Sequence, residues 1–177
     1  KGIGIRHNNV LFIDDTLIAG YSYGSHFSNV YAYHKVPFTN FGTSVMYGYS
    51  YSKSSPKKDQ SPLGLCSLGQ SSSIFMYQDL FVKEEYIGEA NIGLDFKDKS
   101  SKVISGVINR DRTRIFRAGT KLICKAWGGI TNLSPQISQG FNGFGSVRKN
   151  DYSSRRPGVD DGAENTYTLL RMDVSHK

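Results

Sequence analysis

Apolar and polar residues alternate with a period of two along most of the chain. The alternation is clearest from Tyr86 to Lys97, where even positions are apolar or small and most odd positions are polar or charged. Similar alternation follows Thr16 and Gly42, and it continues through the stretch RIFRAGTKLICKAW. No long window keeps the 3.6-residue period of an amphipathic helix. The pattern therefore predicts an all-β chain.

Turn-forming residues separate the alternating segments. Clusters at His7-Asn8-Asn9, Pro37 to Asn40 and Lys83 to Glu85 favour tight reversals, and Asp98 to Lys102 is interpreted as a further break. Short connections predict sequential hairpins, and hence an antiparallel meander. The predicted strands lie near 1–6, 15–24, 27–35, 42–53, 64–82, 86–97, 103–126, 131–144 and 165–175, with 103–126 as one strand or as two that reverse near Arg110 to Arg114. Polar loops are predicted at 54–62 and 148–164.

The long, two-faced strands favour part of a transmembrane β-barrel. No run of 18 apolar residues exists, so we predict no transmembrane helix. A barrel strand needs only about 9–11 residues to cross a bilayer. Soluble β-sandwiches alternate as well, so two alternatives stay open. One is a soluble all-β module that binds carbohydrate or another ligand, and the other is a complete small outer-membrane barrel of eight strands.

Charge and cysteine usage narrow the classes of partner. Lys and Arg exceed Asp and Glu by 22 minus 15, which gives a net charge of +7. The basic residues are dispersed, and the adjacent pairs Lys57-Lys58 and Arg155-Arg156 fall in loop-like surroundings, so we expect no nucleic-acid partner. Cys66 and Cys124 lack the spacing of a zinc site. Two free thiols are the favoured interpretation, and one disulfide is the alternative.

Gly20 to Gly24, with the sequence GYSYG, matches the G-x-S-x-G motif that exposes a nucleophilic serine between a strand and a helix. However, the following residues alternate like another strand, and GYSY recurs at Gly48 to Tyr51. We therefore predict that Ser22 is not catalytic and that the chain is not an enzyme. The histidines lack metal-ligand spacing, and the glycines of GFNGFG stand in the wrong order for a dinucleotide site. We expect neither a metal nor a cofactor.

The segment KLICKAWGGITNLSPQISQGFNGFG, from Lys121 to Gly145, resembles part of the outer-membrane transporters of two-partner secretion. These are the TpsB proteins of the haemolysin secretion/activation type. The shared features are a long strand, a turn with paired glycines, and a strand with a Gly-aromatic-x-x-Phe-Gly ending. RHNNVLFIDDTLIAGYSYG is similar to the family's early hairpin, and YGYSYSKS to its Ser/Tyr-rich strand. The family's POTRA domains and VRG(Y/F) motif have no counterpart in these residues.

The resemblance implies that residues 1–177 form the N-terminal half of a β-barrel in the bacterial outer membrane. It further implies a pore, surrounded by lipid, that moves an unfolded exoprotein of the TpsA type, a haemolysin or adhesin, to the cell surface. Arg or Lys facing lipid at the bilayer midplane costs about 2–4 kcal/mol, so charged positions are expected inside. The candidate pore-lining residues are Glu89, Asn91, Asp95, Lys97, Arg117, Lys121 and Lys125. Because a half-barrel leaves open strand edges, we expect the isolated chain to aggregate.

Overall fold

The computed structural model describes residues 1–55, 65–103, 106–126, 128–147 and 165–177. They form nine β-strands: β1 (Gly2–Asn8), β2 (Thr16–Gly24), β3 (Phe27–Pro37), β4 (Thr43–Ser54), β5 (Cys66–Val82), β6 (Tyr86–Val103), β7 (Gly106–Ala126), β8 (Gly129–Gly140) and β9 (Thr168–His176). Within these ranges no helix has the length and hydropathy of a membrane span. The predicted loop at 148–164 and most of the one at 54–62 lie outside the described residues.

All nine strands belong to one antiparallel sheet, in sequence order from β1 to β9. The predicted meander is therefore confirmed. Its cause is local, because most neighbouring strands are joined by only two to seven residues and such short connections reach only the adjacent antiparallel strand. Each of the two outermost strands, β1 and β9, pairs with a single neighbour, so the described sheet is open.

Three details of the predicted strands are wrong. Asp98 to Lys102 is not a break but part of β6, where Asp98 pairs with Arg112 and Ser100 with Arg110. A carboxylate opposite a guanidinium supports strand pairing, which compensates for the turn-like composition. Residues 110–114 do not reverse, since β7 is one strand of 21 residues. The eighth strand ends at Gly140 rather than near 144.

Strand register separates the side chains into two faces, because directly opposed residues point to the same side of a sheet. One row contains Ile5, Ala19, Ala32, Tyr49, Ser72 and Phe96, and the next row contains Gly4, Gly20, Tyr31, Ser50, Ser71 and Lys97. We call the side that carries the first row the apolar face and the side that carries the second row the polar face. The same alternation continues through β7, where Phe116 lies on the apolar face and Arg117 on the polar face.

Large side chains on the apolar face are exposed rather than packed. Tyr49, Ile74, Met76, Ile92 and Leu170 are 41–75% exposed. A globular domain buries such a face against a second layer. Among the described residues each strand packs against its neighbours in the one sheet, and no second layer covers this face. These residues therefore do not form the sandwich of the soluble alternative.

The connections differ in length between the two ends of the sheet. At one end the strands are joined by residues 9–15, 38–42, 83–85 and 127–128, of seven, five, three and two residues. At the other end the joining segments are 25–26, 55–65, 104–105 and 141–167, of which the last has 27 residues. We call these the short-turn end and the long-loop end.

Candidate functional site

All seven predicted pore-lining residues lie on the polar face. Glu89, Asn91, Asp95 and Lys97 belong to β6, and Arg117, Lys121 and Lys125 to β7. Register places Glu89 directly opposite Lys121, and Arg117 opposite Gly93, one step along the face from Asp95. Arg117 Nη2 lies 3.0 Å from Asp95 Oδ2. The structure thus gathers these side chains on one surface, while their role in lining a pore stays a prediction.

A salt bridge across four strands shows that the sheet curves toward the polar face. Lys35 Nζ on β3 lies 3.6 Å from Glu89 Oε2 on β6, and 4.7 Å from the centre of the Tyr77 ring on β5. Register aligns Lys35 with Gly93, four residues from Glu89. In a flat sheet the two backbones would be about 14 Å apart across the strands and about 13 Å along them. Extended side chains do not cover that distance, so the polar face is concave.

The polar face has a serine-rich part next to the charged part. Ser50 and Ser52 of β4 lie opposite Ser71 and Gly69 of β5, and Asn29 of β3 lies beside Ser52. An open cavity of about 510 Å³ borders this area. Its lining residues include Ser50, Ser52, Ser54, Ser67, Ser71, Lys97, Lys99, Asp111 and Thr113. The concave surface therefore offers hydroxyl groups over β4 and β5, and charges over β6 and β7.

Aromatic rings on the polar face lie over glycines of the neighbouring strand. Tyr31 covers Gly20, and a Cβ at Gly20 would lie 2.5 Å from Tyr31 Oη. Tyr33 covers Gly48 and Phe75 covers Gly93 in the same way. Each ring and its glycine are directly opposed in register, so the glycine makes room for the ring. The sequence alone does not reveal these pairs, because strand register decides which residues meet.

Ser22 lies on the polar face of β2, between Gly2 of β1 and Asn29 of β3. After Gly24 the chain enters β3 through residues 25–26. The strand, turn and helix that a nucleophile elbow requires are therefore absent at this position. Gly20 of the same motif serves a packing role, since it accommodates the Tyr31 ring.

A hydrogen-bonded group with two buried members lies on the apolar face at the short-turn end. Asp15 is 0% and His34 is 8% exposed. His34 Nε2 lies 2.6 Å from Asp15 Oδ2, and His34 Nδ1 lies 2.7 Å from Tyr47 Oη. A neutral imidazole with its proton on Nε2 satisfies both contacts, because it donates to the carboxylate and accepts from the phenol. We call Asp15, His34 and Tyr47 the Asp15 latch.

The Asp15 latch connects the first turn to the sheet. The Leu11 backbone N–H donates to Asp15 Oδ1 at 2.8 Å, so the carboxylate joins the turn 9–15 to β3 and β4. Burial raises the pKa of Asp15, but hydrogen bonds from His34 and from the Leu11 backbone outweigh it and hold the pKa below its ordinary value. The sequence carries no local signal for this group, because residues 15 and 34 meet only through the pairing of Leu17 with His34.

A second buried charge lies on the apolar face toward the long-loop end. Arg114 Nη1 is 2.6 Å from Asp98 Oδ1, and Arg114 Nε donates to the Phe144 carbonyl at 3.0 Å. Phe144 and Gly145 have φ values of 47° and 74°, and Ser146 N donates to Gly143 O at 2.9 Å, which indicates a type I′ turn. Arg114 therefore attaches the beginning of the long connection between β8 and β9 to the wall of the sheet.

Both cysteines are free thiols, as the favoured interpretation predicted. Cys66 begins β5 at the long-loop end, whereas Cys124 lies near the end of β7 at the short-turn end. In the described part of the chain, no three His, Cys, Asp or Glu side chains come close enough together to hold a metal ion.

Comparison with known proteins identifies a shared fold. No family model and no curated protein matches the chain. A solved structure of CdiB from Escherichia coli superposes with a TM-score of 0.78 over 99% of the chain, at 20% sequence identity. The chain has part of the CdiB fold. CdiB from Acinetobacter baumannii superposes with a TM-score of 0.63 over 79% of the chain, at 15% identity. The chain spans only 33% and 28% of the lengths of these two CdiB chains.

Proposed function

We propose that the chain is part of the wall of an outer-membrane pore that translocates an unfolded exoprotein to the cell surface. One observation carries the proposal: a single nine-stranded sheet with the CdiB fold presents exposed apolar side chains on one face and a concave, polar and charged surface on the other. This arrangement is stable in a lipid bilayer, because the apolar side chains then contact hydrocarbon and the polar side chains line a water-filled lumen.

Under this proposal the seven polar-face candidates line the lumen. Glu89, Lys121 and Lys125 lie toward the short-turn end, and Asp95, Lys97 and Arg117 toward the middle and the long-loop end. Four of the seven side chains are cationic and two are anionic, so the surface offers charges of both signs for weak contact with an extended polypeptide. Translocation of this kind requires no covalent chemistry, in agreement with the pore-type CdiB neighbours, which are transporters rather than enzymes.

The finer parts of the proposal follow from the resemblance to two-partner secretion. The exported partner is an exoprotein of the TpsA type, such as a haemolysin or adhesin, and the lipid is that of the bacterial outer membrane. POTRA domains before residue 1 and a VRG(Y/F) loop after residue 177 in the complete gene product are also predicted. The short-turn end faces the periplasm and the long-loop end faces the outside, because outer-membrane barrels have short periplasmic turns and longer external loops.

Surface display of the exoprotein tests the proposal. The complete gene product is expressed in a Gram-negative host together with a TpsA-type exoprotein, and protease is added to intact cells. We expect the exoprotein to be cleaved at the surface only when the gene product is present, while a periplasmic marker stays protected. Export that is equal without the gene product would contradict the proposal. Conductance in a planar bilayer without any export would leave a passive pore as the function.

A further inference from the structure

The turn 9–15 exposes a run of four apolar residues. Val10, Leu11, Phe12 and Ile13 are all exposed, and Phe12 is 88% exposed. Hairpin turns that face water carry Gly, Asn, Asp and Ser instead, because these residues tolerate tight reversals and hydrogen-bond to water or to the local backbone. A continuous apolar turn at a sheet end indicates a contact other than water.

The turn holds its central aromatic residue in an unfavourable backbone conformation. Phe12 has φ of 61°, in the left-handed region that bulky residues rarely adopt. Asn9 and Asp14 also have positive φ, but these residue types tolerate it. A strained conformation persists only where the surroundings determine it, and such residues concentrate at functional sites.

The surroundings that determine this conformation are the hydrogen bonds at the base of the turn. Asn9 N donates to Asp15 O at 2.5 Å, and Asp14 N donates to Asn9 Oδ1 at 2.9 Å. The Leu11 N–H is bound by the Asp15 carboxylate, which the Asp15 latch attaches to β3 and β4. These polar groups of the turn are thus hydrogen-bonded within its base and to the Asp15 latch, and the Phe12 side chain remains exposed.

Neighbouring connections at the same end of the sheet repeat the exposed apolar character. Phe38 and Phe41 of the turn 38–42 are exposed, Phe41 to 87%, and so are Leu80 and Phe81 near the end of β5. We call Val10 to Ile13, Phe38, Phe41, Leu80 and Phe81 the apolar rim. The rim continues the apolar face, because His34 and Tyr47 of the Asp15 latch belong to that face and support the turn from it.

We propose that the apolar rim is an anchor that inserts Phe12 and Phe41 into the boundary between the headgroups and acyl chains of the bilayer. The inference rests on the proposed function, since it needs the apolar face to face lipid. Continuity with that face selects lipid over a protein partner. Aromatic side chains are the residues that outer-membrane barrels place at this depth. The Asp15 latch positions the anchor by keeping the turn 9–15 in the plane of the membrane surface.

Spin labels at two positions test the anchor separately from the barrel. A nitroxide is attached to Phe12→Cys or to Ile74→Cys in the complete gene product, with the native cysteines replaced by serine, in liposomes of phosphatidylethanolamine and phosphatidylglycerol. Collision with oxygen, which concentrates in lipid, is compared with collision with a water-soluble nickel chelate. We expect both labels to collide preferentially with oxygen, and Thr39→Cys, a polar position of the neighbouring turn, to collide preferentially with nickel.

Other outcomes would overturn either the anchor or the proposed function. Nickel access at position 12 with oxygen access at position 74 would overturn the anchor and leave the barrel intact. Nickel access at both positions would overturn the proposed function itself. A label at position 12 that neither reagent reaches would show that protein, a second copy or a partner, covers the rim, which also overturns the anchor.

The role of the Asp15 latch has its own variant pair. In the Phe12→Cys background, Asp15→Asn removes the carboxylate that binds Leu11 and His34, and we expect the label to lose its oxygen preference while the label at position 74 keeps it. The exposed neighbour provides the control, since Asp14→Asn leaves the latch untouched and should leave the label in lipid. An unchanged label in the Asp15 variant would overturn the positioning role of the latch.

Discussion

The two faces of the sheet follow opposite rules, although they are built from neighbouring residues. Ile74, the middle residue of β5, is 49% exposed on the apolar face, whereas the adjacent Ser73 lies on the polar face opposite Gly48 and Asp95. In a water-soluble protein the apolar side would be covered and the polar side open. Here the concave side is polar and the other side is uncovered and apolar. The polar face is therefore suited to water and the apolar face to lipid.

The largest expected effect is on the free energy of unfolding when an arginine is placed on one face or the other. Ile74→Arg puts a charge on the apolar face near the centre of β5, where lipid contact predicts destabilisation of about 2–4 kcal/mol. Ser73→Arg puts the same charge on the polar face next to Asp95 and should change the stability little. The measurement is urea unfolding of the complete gene product in lipid vesicles. Equal destabilisation by the two variants would remove the distinction between the faces.

A methyl group added to the polar face should have an intermediate effect that depends on position. Gly20→Ala puts a Cβ against the Tyr31 ring, and displacement of a packed ring costs about 1–3 kcal/mol. Gly24 lies on the same face of the same strand, and no atom lies within 4 Å of the position that a Cβ would take there, so Gly24→Ala should be tolerated. Unfolding midpoints of the two variants in the same vesicles decide the matter. A Gly20→Ala protein as stable as the parent would refute ring-on-glycine packing.

Removal of the cross-strand ion pair should have a smaller effect. The Lys35 side chain is 43% exposed, so its pair with Glu89 is screened by water, and Lys35→Met should cost about 0–1 kcal/mol. Lys83→Met, in the turn between β5 and β6, serves as the control for loss of one positive charge. We expect the difference between the two variants to shrink further in high salt. A large, salt-independent loss of stability in the Lys35 variant would mean that water is excluded from this part of the polar face.

The last prediction concerns the pH dependence that the Asp15 latch gives to stability, which is confined to acid. The folded state lowers the pKa of Asp15, so the resulting stabilisation is complete above the ordinary aspartate pKa of about 3.9 and is lost as the pH falls through the lower folded value. Stability should therefore decline more steeply below about pH 4 in the parent than in Asp15→Asn. Unfolding curves at several pH values measure this slope. Parallel pH profiles of the two proteins would contradict the latch.

Much of the fold could be predicted from alternation, because in a sheet with one apolar and one polar face the polarity of a residue indicates the face on which it lies. The strand from Tyr86 shows this, since its even and odd positions separate as predicted. The continuation through Asp98 to Lys102 was missed because its charges resemble a turn. Arg112, which lies opposite Asp98 and compensates its charge, is on the neighbouring strand and is invisible to a local pattern.

The candidate site was predictable in part for the same reason. Glu89 and Lys121 could be placed on the polar face from the parity of each strand alone. The contacts between Tyr31 and Gly20, and between Asp15 and His34, depend on the register between neighbouring strands. Register is decided by turn geometry and by pairing over the whole strand, so residue spacing within one strand does not reveal it.

A nitroxide scan along β6, from Asn91 to Lys97, tests the central claim most directly; it omits Gly93, where the Phe75 ring leaves no room for a side chain. Each of the other residues in turn carries the label in the complete gene product in liposomes, and collision with oxygen is compared with collision with a nickel chelate. We expect a period of two, with oxygen preferred at Ile92, Leu94 and Phe96 and nickel preferred at Asn91, Asp95 and Lys97. The same preference at all six positions, or a period in the opposite phase, would contradict it.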